Sequence, residues 1–139
     1  MTAAPARLVL DNEAAQALRD PTHRKHRRAL AFVEAMLTRG RVGATPVVPT
    51  AVRVEAGWDR RAEGAAVVNR LRIDDVALDR AAADRAAALV VALRVAVADA
   101  HLGATVVTLP APVAVLTSDV DDLRRIAGHL DVAVRIVAL

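Results

Sequence analysis

Short apolar runs alternate along the chain with longer stretches whose apolar residues recur every three or four positions, the signature of buried strands interleaved with amphipathic helices. Arg7 to Leu10 (RLVL) is too short for a helix and reads as a strand ending at Asp11. Asn12 to Leu18 follows, then a break at Asp20-Pro21-Thr22. Pro21 suits a first helical turn and Thr22 a cap, which predicts a long helix reaching about Arg39. Leu30, Val33, Met36 and Leu37, with Ala29 beside them, form its apolar face, and Gly40 and Gly43 end it. Thr45 to Pro49 (TPVVP) is a second strand, after which Thr50 is expected to cap a helix carrying Val52, Glu55 and Ala56. A further helix is expected from about Ala62 to Leu71.

Ile73 to Leu78 (IDDVAL) reads as a short edge strand, and Asp79 as the cap of an alanine-rich helix from Arg80 to about Arg94. Val97 to about Val107 is the next helix, with Asp99 at or near its start, closed by Leu109-Pro110-Ala111-Pro112. Val113 to Leu116 is a buried strand, Thr117-Ser118-Asp119 a turn, Val120 to Leu130 a helix, and Val132 to Val137 a final strand. The strands are apolar throughout rather than alternating, so both faces of the sheet must be covered, which predicts an α/β fold around a parallel sheet.

The 139 residues suit a single domain over 1–139, and 55% hydrophobic content excludes a disordered chain. The longest apolar stretch, Ala86 to Ala98, is broken by Arg94, so no membrane-spanning helix is expected, and the first residues lack the pattern of a secretory signal. Zero cysteines exclude disulfides, thiolate nucleophiles and cysteine-based zinc sites, and make the cytoplasm the expected compartment. Phe32 and Trp58 are the only aromatic residues, which argues against a single-strand binder built on stacking platforms. The net charge of +3 rests on arginine, Lys25 being the lone lysine. Guanidinium forks suit phosphate oxygens, although a GC-rich coding sequence would enrich arginine regardless of function.

Ligands of a doubly wound sheet bind outside the carboxyl ends of the strands, where the strand order reverses, and acids stand there in this chain. Asp11 follows the first strand, and Asp119 follows the VAVL strand after only Thr117 and Ser118. Should those strands be neighbours, the two carboxylates converge. Glu55, in the helix after TPVVP, can lean over the same edge, and Asp99 lies in an apolar stretch where an unpaired charge is costly. Gathered carboxylates either rise in pKa or take up a cation, and an all-oxygen set favours magnesium or manganese over zinc. Such a cation can activate water and clamp a phosphodiester for in-line attack. Each acid also has a structural reading: Asp11, Asp99 and Asp119 as helix caps, Glu55 as a solvated helix residue.

The segments LVLDNEAAQAL, VVPTAVRVEAGW, VAVADAHLGA and VLTSDVDDLRRI, in that order over nearly the whole chain, resemble the four acidic motifs of PIN-domain ribonucleases. They are most similar to those of the small VapC-like toxins of bacterial toxin-antitoxin pairs. The resemblance implies a three-layer α/β/α sandwich and a magnesium- or manganese-dependent endoribonuclease. It also implies a homodimer and inhibition by a small antitoxin protein that inserts residues into the active site. It assigns Asp11, Glu55, Asp99 and Asp119 to catalysis and metal binding, with Thr117 as the hydroxyl residue beside the fourth motif. Asn12 and Glu13 depart from the small or hydroxyl residue usual after the first aspartate, and the fourth motif offers Asp122 behind Asp119, with Asp121 between.

Arg24, Lys25, Arg27 and Arg28, in the basic stretch RDPTHRKHRR behind the first motif, are the candidates for gripping RNA phosphates, the alternative being a solvated helix face. Arg53, Arg60 and Arg61 form a smaller cluster that reads as surface, His101 reads as structural, and Trp58 as packing at a helix end or a dimer interface. A haloacid-dehalogenase-like phosphatase would need an aspartate where Glu13 stands, a receiver domain a lysine after a late strand, and no phosphate-binding glycine loop occurs. The competing reading from another class is a PIN-like module that binds RNA or protein without cleaving; a purely structural dimeric domain would leave the acids without purpose.

Overall fold

The structure is a computed structural model that describes residues 7–39 and 45–139. Five strands, β1 (Arg7–Leu10), β2 (Thr45–Pro49), β3 (Asp74–Val76), β4 (Val113–Thr117) and β5 (Val134–Ala138), form one parallel sheet in the order β3-β2-β1-β4-β5. Seven helices are described: α1 (Asn12–Arg19), α2 (His26–Arg39), α3 (Thr50–Glu55), α4 (Ala66–Asn69), α5 (Arg80–Leu93), α6 (Val97–Thr108) and α7 (Val120–Leu130). α1 packs with α2 and α4, and α6 with α5 and α7; with crossovers of the usual right hand these groups cover opposite faces of the sheet, a three-layer α/β/α sandwich. β1 feeds β2 on one side and β4 feeds β5 on the other, so strand order reverses between β1 and β4.

The central strands are buried on both faces, as their unbroken apolar runs require: Val9, Leu10, Val115 and Leu116 are fully enclosed. Sequence periodicity locates every strand, but several helix limits differ from expectation. Asp20 ends α1 and then accepts hydrogen bonds from both the amide and the hydroxyl of Thr22, so Thr22 is held in a turn and α2 begins only at His26. Pro49, not Thr50, is the N-cap of α3; the Thr50 hydroxyl accepts from the Leu78 amide instead, at 3.0 Å. The helix expected over 62–71 shrinks to a 3-10 turn (Glu63–Ala65) and the single turn of α4. The expected stop at Gly40 and Gly43 lies outside the described residues. Asp79 caps α5 through a 2.9 Å bond from the Ala82 amide, as its position predicts.

α6 is enclosed from Ala98 to Val106 except at half-buried Asp99, because α5, α3, α7 and the sheet all pack on it. Gly103 makes the closest approach: a Cβ there would lie 2.7 Å from Leu89 Cδ1 and 3.0 Å from Ile126 Cγ2. Among the described residues no helix is long and apolar enough to cross a membrane. Replacing Gly103 with Val is expected to lower unfolding stability by about 1–3 kcal/mol through overpacking between α5 and α7, read as a lower urea midpoint at unchanged m-value.

Candidate active site

The site is assembled where β1 and β4 lie side by side. Leu10 pairs with Leu116, and the Asp11 amide donates to the Leu116 carbonyl, so the first residues beyond both strands emerge together. Asp11 caps α1, its Oδ1 accepting from the Ala14 amide at 2.8 Å, while Oδ2 accepts from the Ser118 amide across the switch point at 3.2 Å. Capping and site membership therefore coexist in one side chain. Burial raises its pKa above the ordinary aspartate value, against the lowering effect of its hydrogen bonds to Thr117, Ala14 and Ser118.

Thr117 is buried at the end of β4 and its hydroxyl accepts from the Asp119 amide at 2.9 Å, shaping the turn that turns the chain into α7. Asp119 is the N-cap of α7, accepting from the Asp122 amide at 3.1 Å. Asp11, Asp99, Thr117, Asp119 and Asp122 line a narrow cleft of about 30 Å³ floored by Leu102, Leu123 and Ile126. Of the fourth-motif acids, Asp119 and Asp122 both line the cleft. Asp122 faces Asp119, whose hydrogen bond and charge raise its pKa, whereas Asp121 points to solvent beside Arg124 at 3.9 Å. The signal was present in the sequence, since a residue three places beyond a cap returns to the same end of its helix.

Asp99 sits in the first turn of α6 behind the N-cap residue Ala96, so it is not itself a cap. Its pKa is pushed up to about 6, first by burial, then by the charges of Glu55, Asp122, Asp11 and Asp119 in that order. Glu55, the last residue of α3, is exposed and lies on the neighbouring groove of about 490 Å³ walled by Val54, Leu78, Val97 and Ala98. Of the four sequence-derived acids, Glu55, Asp11 and Asp119 thus all bear on Asp99, although among the described residues no three acidic or histidine side chains already stand as a set that could hold an ion. By donor chemistry, an all-oxygen set with one raised carboxyl suits a divalent cation of the magnesium type rather than zinc.

Arg24, Lys25 and Arg28 line a separate hollow of about 290 Å³; Arg27 is exposed but is not part of it. Lys25 is partly engaged, with Nζ 3.6 Å from Glu13, which also lies 3.3 Å from His23. The extra acid of the first motif is thus committed to the basic segment, and Asn12 accepts from Gln16 within α1. Arg53 and Arg60 are structural: both bind Asp75, at 2.7 and 2.9 Å, and both flank the Trp58 ring. Trp58 is enclosed in the core just beyond α3, which removes it from any interface. His101 is fully buried, its Nδ1 accepting from the Ala51 amide. Burial holds it below the ordinary histidine value, with Ala77 and Asp79 pulling weakly the other way.

No protein-family model matches the sequence, and no curated protein matches it.

A carboxyl raised by folding takes up its proton more readily in the native state, so ionised Asp99 destabilises the fold above pH 6 and is relieved as pH falls toward 4. Asp99→Asn is accordingly expected to raise Tm by about 3 °C at pH 7.5 and by nothing measurable at pH 4, followed by scanning calorimetry.

Proposed function

We propose that the chain is a divalent-cation-dependent endoribonuclease of the PIN-domain type. The observation that carries this reading is the convergence of Asp11, Asp99, Asp119 and Asp122 at the β1/β4 switch point, with Glu55 acting on Asp99 from the side. An acid cleft repels an RNA phosphate unless a cation intervenes, and Asp11, Glu55, Asp99 and Asp119 are the residues that would hold it. Magnesium or manganese, when bound, supplies the positive charge that acidifies an attacking water and neutralises a phosphodiester during in-line displacement.

The chain's own groups do the positioning. Two amide donors and Thr117 keep the Asp11 carboxylate aimed from the strand ends, and the α7 cap fixes the turn that carries Asp119. Arg24 and Arg28, with Lys25 beside them, supply the cationic surface for flanking phosphates. Thr117 is a positioning group here, since its hydroxyl accepts from the Asp119 amide and also bonds the Asp11 carboxylate. The resemblance further supports a toxin role, with a second copy and a small antitoxin as protein partners. The cysteine-free composition suits the cytoplasm.

Purified protein is expected to cut total RNA with magnesium or manganese, and to lose at least about 100-fold in rate with EDTA or in Asp99→Asn, as expected when a cation site is removed. A folded, antitoxin-free protein that binds RNA but cleaves none with either metal would favour the non-cleaving module. Arg24→Ala with Arg28→Ala is expected to weaken RNA binding and to flatten the salt dependence of log K by about 1.4, as two single-strand phosphate contacts require. Fluorescence anisotropy across a salt series reads this directly.

A further inference from the structure

His101 is a buried ionisable group that the proposed chemistry does not use, and its surroundings do not explain it as packing. It is completely enclosed in α6, with Nδ1 taken by the Ala51 amide and the Ala77 backbone acting on the other side of the ring. Leucine at the same position would fill the space without burying two polar nitrogens. What leucine could not supply is the acceptor at Nδ1, which takes the Ala51 amide at 3.2 Å.

That bond answers a specific deficit of α3. The helix has only six residues, and its N-cap is Pro49, which offers no side-chain acceptor to the first-turn amides. Thr50, the expected cap, is turned the other way and is occupied by the Leu78 amide. The acceptor for Ala51 comes instead from α6, the helix packed on α3 that carries Asp99. α3 carries Glu55 at its far end. On α6, residues two apart diverge by roughly 200°, so His101 cannot reach the cleft from the side that Asp99 occupies.

We propose that His101 is a positioning residue that caps α3 from α6 and so sets the placement of Glu55 against Asp99. The role rests on the reading of the carboxylate cleft as a cation site. Accepting from Ala51 requires a bare Nδ1, so the imidazole is the tautomer protonated at Nε2. Asparagine, whose Oδ1 falls near the place of Nδ1, can replace it as acceptor; leucine cannot.

The test uses the full chain as wild type, His101→Leu and His101→Asn, each also combined with Glu55→Gln. Manganese binding is measured by calorimetry and Ala51 amide exchange by NMR, with circular dichroism and Tm as the folding check. The leucine variant is expected to stay folded, to bind manganese about tenfold more weakly, in the range seen when a group orienting a metal ligand is lost, and to exchange the Ala51 amide about tenfold faster. Asparagine is expected to restore both to within about twofold, and in the Glu55→Gln background leucine should have no further effect on binding, since the two residues act in series. Unchanged manganese affinity or unchanged Ala51 protection in the leucine variant overturns the assignment. So does an equal loss of affinity with and without Glu55, or failure of asparagine to rescue. Wild-type protein that binds no manganese overturns the cleft as a cation site, an outcome separate from any behaviour of the variants.

Discussion

The pairing of β1 with β4 is the contact on which the site depends. These strands are distant in sequence but adjacent at the centre of the sheet, in a register that sets Leu10 beside Leu116. Their apolar side chains are buried on both faces, so neither strand can slip without moving a core residue out of place. One residue past that pair the hydrophobic demand ends, and Asp11 receives amides from both its own helix and the β4 turn. A rigid apolar layer thus delivers polar groups to one edge with little freedom left to them.

Electrostatic tension is built in at that edge. Asp11 and Asp119 spend part of their hydrogen-bonding capacity on helix caps, which tolerates their charge. Asp99 has no such compensation beyond the start of α6, and burial together with four acidic neighbours drives its pKa toward neutrality. A scaffold that needed only caps could have used serine or asparagine at these positions. The concentration of ionisable groups in a cleft with room for little more than an ion and a water is what gives the cation reading its physical content.

The basic residues divide by the same logic. Arg53 and Arg60 are consumed by Asp75 and the Trp58 ring, and Arg19 donates to the Ala56 carbonyl at 2.7 Å, so these three arginines brace the region around α3. Arg24 and Arg28 remain at the mouth of an open hollow. On the proposed reading, contact with RNA rests on a few side chains rather than on overall charge.

The order of elements, the parallel sheet and the acids at the strand ends were legible in the sequence, because strand length and uninterrupted apolar runs are local consequences of burial on both faces. Capping by Asp79 was legible for the same reason: the acceptor and the amides it serves are neighbours in the chain. Where the partner is remote, local pattern misleads. Thr50 and Thr22 have the chemistry of caps, yet Leu78 and Asp20 claim their hydroxyls first, and the end of α3 that Thr50 leaves open is served by His101, about fifty residues away. The sequence offered three aspartates after β4; the cap-to-third-residue spacing pointed to Asp122 beside Asp119, and the turn of α7 places both on the cleft and Asp121 beside Arg124. Residue chemistry set what each group could do; competition among partners brought together by the fold decided which of those things it does.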